Sequence, residues 1–197
     1  MNRYLSHSVL ALTLAAAPMA IADATGLYVA AGISQTEAMP NATIKSLLST
    51  GNVPYDATQS KPTVAIGYFY TERFGVEGSV HRSGFSHPAT DALSRVNMTS
   101  TIVALEGIAK LAIGEAAYVS ASAGIATLGT QYDTDNASES ATSRNTNFVW
   151  SARAGYQLNP QWHAELQYRS FGTSDPTTAL NNDLDHTATS LVLGYRF

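Results

Sequence analysis

The chain has 197 residues, no cysteine, 13% charged residues and a formal net charge of -4. Without cysteine there is no disulfide framework, no thiolate metal site and no thiol nucleophile, and the spread negative charge lacks the basic footprint of a nucleic-acid binder. The charged share is about half that of an ordinary soluble domain, yet a mean hydropathy of -0.05 is far too low for a bundle of membrane helices.

The amino terminus reads as a targeting segment. "MNRYLSHS" carries Arg3, "VLALTLAAAPMA" is a short apolar run, and both Ala20-Ile21-Ala22 and Ala22-Asp23-Ala24 fit a small-x-small cleavage site. These are the parts of a secretory signal peptide, expected over residues 1–22 with cleavage after residue 22 or 24. A single domain is expected over 23–197, with no second apolar run near the roughly 20 residues of a spanning helix.

Period two dominates from residue 26 onward and predicts eight strands. In chain order their apolar rows are Leu27, Val29, Ala31 and Ile33 (about 26–35); Val64, Ile66, Tyr68 and Tyr70 (62–71); and Phe74, Val76, Gly78 and Val80 (74–83). Then come Val103, Leu105, Gly107, Ala109, Leu111 and Ile113 (100–113); Val119, Ala121, Ala123, Ile125 and Thr127 (117–129); and Phe148, Trp150, Ala152, Ala154 and Tyr156 (146–158). Trp162, Ala164, Leu166 and Tyr168 (161–171) are followed by Leu191, Leu193, Tyr195 and Phe197 (186–197). Short turns at Glu72-Arg73, "GEA" and Asn159-Pro160 alternate with long polar connections at about 36–61, 84–99, 130–145 and 172–185. Short turns at one end and long loops at the other are the pattern of an outer-membrane barrel.

The opposite rows choose between a soluble and a membrane barrel. They carry Glu77, Glu106, Lys110, Arg153, Glu165 and Arg169 among small residues such as Gly67, Ser79, Ser122 and Gly155. An eight-stranded barrel has an interior just wide enough for side chains to fill. A lipid-facing Arg or Lys at the bilayer midplane costs about 2–4 kcal/mol. The six charges are therefore expected inside as a paired network, with Arg153 facing Glu165 across the last hairpin. The apolar rows would face lipid, with Tyr70, Phe74, Tyr156 and Trp162 as interfacial aromatics at the short-turn end. A soluble lipocalin-like barrel inverts this, packing Trp162, Tyr156 and Tyr195 inside and leaving Phe197 unexplained. The fold expected is an all-β, eight-stranded, antiparallel up-and-down transmembrane β-barrel. Its last strand must pair with its first, because unpaired backbone groups cannot stay in lipid.

The carboxy-terminal "LVLGYRF" resembles the assembly signal of outer-membrane barrels, carried here by Leu191, Leu193, Tyr195 and Phe197, although the common signal has Gly where Val192 stands. "GYFYTERFGVEGS", "AGYQLNPQWHAELQYRSFG" and "GLYVAAGIS" resemble hairpins and the first strand of the small OmpA-like and OmpX-like eight-stranded proteins. This resemblance implies a monomeric protein of the bacterial outer membrane with both termini periplasmic. Its partners would be outer-membrane lipid and lipopolysaccharide, the barrel assembly machinery, periplasmic chaperones, and host or environmental ligands at the loops.

Signals for chemistry are weak. His81 and Ser83 in "VHRSGF" share a strand face, as a nucleophile and its base would, but read as polar filling. Asp133, Asp135, Asp183 and Asp185 do not match a calcium loop. Asn41, Asn97 and Asn136 form sequons without meaning in a bacterial host, and His163 reads as inward packing beside Glu165. No catalytic residue, metal or cofactor is expected. The function expected is structural or surface-facing: membrane integrity, adhesion or resistance through the loops. A narrow pore and a lipid A-modifying enzyme are the alternatives.

Overall fold

The structure is a computed structural model that describes residues 25–40, 58–87, 96–134, 141–174 and 184–197. The expected signal peptide, the sequons at Asn41 and Asn136, and Asp135 and Asp183 lie outside the described residues.

Eight strands follow one another: β1 (Gly26–Pro40), β2 (Thr58–Phe69), β3 (Phe74–His87), β4 (Val96–Ala112), β5 (Ala117–Thr134), β6 (Ala141–Gln157), β7 (Trp162–Ser174) and β8 (Leu184–Arg196). Each pairs antiparallel with the next, and β8 returns to β1, closing the barrel. Closure pairs the last strand with the first, so that no strand stands as an edge strand. The strands run past the expected ends on the long-connection side, by up to five residues. The apolar alternation stops there while backbone pairing continues through Ser- and Thr-rich sequence, which also suits a pleated sheet.

The registers fix the barrel's shape. Paired positions followed once around the wall run Leu27, Tyr68, Val76, Gly107, Ala123, Trp150, Ser170 and Thr187, returning to β1 at Glu37, ten residues from the start. For eight strands this stagger implies a tilt of about 40° and a backbone radius of roughly 8 Å. The register shifts between Ser170 and Thr173, where β7 meets β8. Gly172 sits there with φ +72°, a left-handed conformation that glycine adopts without a Cβ clash. Asn147 of β6 covers the break, donating Nδ2 to the carbonyls of Phe171 (3.3 Å) and Thr173.

The apolar rows face outward: Ile33, Phe148 and Leu191 are each about two-thirds exposed, the reverse of a soluble barrel. The interior also holds large apolar side chains, which the sequence reading did not place there. Tyr28, Ala30, Phe69, Ile108 and Val192 form one inward apolar group towards the short-turn end. Ile102, Ala104, Ala126, Leu128, Val149, Phe171 and Ala188 form another on the long-connection side. A narrow closed barrel excludes water from most of its lumen, so apolar side chains are tolerated on both faces.

Candidate functional site

The two apolar layers enclose a charged one, whose charges come from four strands, β3, β4, β6 and β7. Glu77 and Glu106 are directly opposed on β3 and β4, a like-charge arrangement that repels on its own. Arg169, from β7, lies between them: Nη2 is 2.8 Å from Glu77 Oε1 and Nε is 3.0 Å from Glu106 Oε1. The second contact is an ion pair too bent to count as a hydrogen bond. Arg153 of β6 grips Glu77 with both terminal nitrogens, each at 2.9 Å, the bidentate geometry for which guanidinium is suited. The Tyr28 hydroxyl donates to Glu77 Oε2 at 2.6 Å.

Hydroxyls extend the network. Ser122 donates to Glu106 Oε2 at 2.5 Å and lies 2.5 Å from Ser151, which accepts from Arg153 Nε at 3.0 Å. Arg169 Nη1 reaches Ser79 at 3.2 Å and contacts the His81 ring. Glu77, Glu106, Arg153 and Arg169 are all buried. Burying such ions is costly unless every charge is paired and hydrogen-bonded, and shared partners meet that condition here.

The network differs from the expected one in two respects. Arg153 and Glu165 do pair, at 3.8 Å, but diagonally: the register sets Arg153 opposite Gln167 and Glu165 opposite Gly155. At that offset Glu165 also accepts from Tyr118 and Gln167, each at 2.7 Å. The cause is the turn, where Leu158 and Asn159 both donate to the Trp162 carbonyl, so that Gln157 opposes His163. Lys110 points inward but forms no ion pair among the described residues. Its Nζ stands 4.6 Å from the centre of the Phe69 ring and 5.3 Å from that of Tyr118. Nor does Glu106 pair with Lys110, four residues along the same strand.

Closer to the short turns, inward rings lie on glycines. Tyr28 opposes Gly67, Phe69 opposes Gly75, Tyr118 opposes Gly155 and His163 opposes Gly194. In each case a Cβ on the glycine would fall within 3.0 Å of the ring. Each ring thus folds flat over its neighbouring strand, in space only a glycine leaves. That aims the hydroxyls of Tyr28 and Tyr118 at Glu77 and Glu165.

His81 and Ser83 are both inward on the long-connection side, and Ser83 meets His186, not His81: Oγ is 3.1 Å from Nδ1. His81 instead lies 3.0 Å from the Thr63 hydroxyl. Ser83 and His186 are each 1% exposed. No group of three or more His, Asp or Glu is placed to hold a metal ion among the described residues. Asp185 is exposed near the start of β8, while Asp133 and Asn97 fall within β5 and β4.

On the outer wall, Tyr70, Phe74, Tyr156 and Trp162 are exposed at the short-turn end. Trp162, Tyr195 and Phe197 stack edge to face, with centroids 5.0 and 5.1 Å apart. The Phe197 amide donates to the Leu27 carbonyl at 3.0 Å.

The sequence of residues 7–197 matches the family model described as outer membrane protein beta-barrel domain. The chain belongs to this family. Among solved structures it resembles Ail of Yersinia pestis, at 15% identity and TM-score 0.59 over 88% of this chain and 99% of that one. It also resembles OprG of Pseudomonas aeruginosa, at 10% identity and TM-score 0.62 over 89% and 97%. The N-terminal barrel domain of OprF from the same organism matches at 14% identity and TM-score 0.51 over 88% and 98%. At these identities the likeness concerns the fold. Comparison with curated proteins finds no match. Family membership makes the outward apolar wall a lipid-facing one and the protein an integral component of the bacterial outer membrane.

Several lumen residues lay outside the sequence reading. Tyr28 and Tyr118 are the hydroxyl donors of the network, and Arg196 is a buried fourth inward base. The signal for Arg196 was available, since it alternates with Tyr195 and Phe197.

Proposed function

We propose that the protein is a non-catalytic outer-membrane barrel with a closed lumen, acting at the cell surface through its four long connections. Both termini lie on the periplasmic side. Residues 1–22 are a cleaved signal peptide, and Leu191, Leu193, Tyr195 and Phe197 form the assembly signal of a monomeric barrel. The observation that carries this reading is the filled interior. Arg153 and Arg169 clamp Glu77 across the middle, and Ile102, Val149 and Phe171, all 0% exposed, lie above them. A pore needs a continuous polar path, and this stack interrupts one. A lipid A-modifying enzyme needs a nucleophile that an acyl chain can reach, whereas Ser83 is buried inside the lumen.

A surface role leaves recognition to the long connections, in keeping with the general rule that loops on a rigid scaffold carry binding. Ail, which shares the fold, has been solved with the heparin analogue sucrose octasulfate, so a polyanionic saccharide is one class of ligand to try. An epitope tag within residues 41–57 should be accessible on intact cells, and a tag after Phe197 should not. A carboxy-terminal tag readable from outside overturns the orientation, and lipid A whose mass changes on deletion of the gene overturns the non-catalytic reading.

A further inference from the structure

We propose that the outer wall over β3–β6, just beyond the lipid-facing apolar rows, is a docking site for an outer-leaflet glycolipid. Its headgroup is a disaccharide with a phosphate at each end, and Arg82 and Arg144 each take one phosphate. The strand registers place Arg82, Thr101, Gly129 and Arg144 at successive paired positions of β3, β4, β5 and β6. These positions share outward parity with Val80, Val103, Thr127 and Phe148, and both arginines are exposed. Three inter-strand spacings set the arginine backbones about 14 Å apart, the scale of such a headgroup. Guanidinium suits the role, because its planar fork grips phosphate oxygens in pairs.

Between the arginines the wall is recessed. Thr101, Val103, Thr127, Gly129, Arg144 and Thr146 line a hollow of about 550 Å³, within the range of roughly 300–1,000 Å³ that ligand sites occupy. Gly129 leaves its floor open: within 4 Å a Cβ there would meet the Thr101 carbonyl oxygen alone, at 3.9 Å. The hydroxyls of Thr127 and Thr146 stand 3.4 Å apart beside it. A sugar ring resting on the glycine is thus edged by three threonine hydroxyls.

Position selects a lipid over a soluble anion. The recess begins where the apolar rows end, with Val103, Ile125 and Phe148 exposed on the same strands. Lower down, a second hollow of about 410 Å³ runs over Gly107, Ala109, Ala121 and Ala123 beside Phe74 and Val76, where an acyl chain hanging from the headgroup would pass. Charge selects this side of the barrel. On the opposite side Glu37 and Asp185 line the hollow beyond the apolar rows and repel phosphate. Along β5 the nearest acid, Asp133, stands four residues beyond Gly129.

The outer-leaflet assignment rests on the proposed orientation, with the long connections outside. The test uses the full mature chain in phosphatidylcholine nanodiscs, which offer lipid to both ends of the barrel and so read binding whatever the orientation. Native mass spectrometry measures retained lipid, and arginine Nε signals are followed by NMR. Bisphosphorylated lipid A at low mole fraction should be retained and should shift Arg82 and Arg144. Fully dephosphorylated lipid A and phosphatidylglycerol should each be held at least tenfold less tightly. Arg82→Gln and Arg144→Gln should each weaken retention at least fivefold. Gly129→Leu, which keeps both charges and fills the floor, should weaken it similarly, and Glu37→Gln should leave it unchanged. Equal retention of phosphorylated and dephosphorylated lipid A, or undiminished retention by folded Arg144→Gln, overturns the proposal. So does a protein that binds sucrose octasulfate and not lipid A. A carboxy-terminal tag readable from outside intact cells, with lipid A still bound in nanodiscs, overturns the outer-leaflet assignment alone.

Discussion

Arg169 settles a conflict that the strand pairing creates. Glu77 and Glu106 are forced together by register, and removing the cation between them leaves two buried carboxylates in repulsion. Arg169→Met should destabilise the barrel by about 3–5 kcal/mol, the usual cost of breaking a buried pair from one side. Adding Glu106→Gln should recover part of that loss. Lys110→Met, which breaks only ring contacts, should cost about 1 kcal/mol or less. Urea unfolding in liposomes reads all three, and equal costs for the two single variants would contradict the assigned pairing. The glycines under the rings make a second prediction at this scale. A Cβ on Gly155 would lie 2.2 Å from the Tyr118 ring, while one on Gly114 meets nothing within 4 Å. Gly155→Ala should therefore cost about 1–3 kcal/mol by overpacking and break the Tyr118–Glu165 hydrogen bond, with Gly114→Ala near neutral in the same unfolding assay.

The strands show which signals a sequence carries. Their outward rows were legible because one solvent, lipid, covers the membrane-facing part of each strand, so apolar residues repeat there at every second position. The inward rows were only partly legible. Their surroundings change with depth, so Ile102, Leu128 and Phe171 alternate in line with Ser100, Thr130 and Arg169. Which inward residues meet depends on the registers of all eight strands. Arg169 reaches Glu77 across 92 positions of sequence, and no local spacing announces that. Arg153 and Glu165 do pair, but the register expected between them was off by two residues, because the turn residues that join the last hairpin's ladder were not counted. Strand β8 bears a prediction of its own. Phe197 closes the ring by its bond to Leu27 and ends an aromatic stack with Tyr195 and Trp162, so deleting it removes both a ladder bond and an interfacial anchor. Outer-membrane levels in cells should fall, as quantified by immunoblotting of membrane fractions. Normal levels of the truncated protein would show that neither feature matters for insertion.

At the scale of the whole molecule, closure governs behaviour. A ring of hydrogen-bonded strands without an edge has no place to begin fraying, so unboiled protein in dodecyl sulfate should stay folded and migrate differently from boiled protein. Identical migration would argue against a closed barrel. The interior follows from the same geometry. Eight strands staggered by ten residues leave a bore that side chains fill, and this sequence fills it with a clamped charge layer between two apolar ones. Single-channel recording of the refolded protein in planar bilayers tests that claim most directly. The closed lumen predicts a baseline without stable conducting steps at neutral pH, in both the parent protein and the Lys110→Gln variant. Long-lived openings of uniform conductance in the parent protein would contradict it.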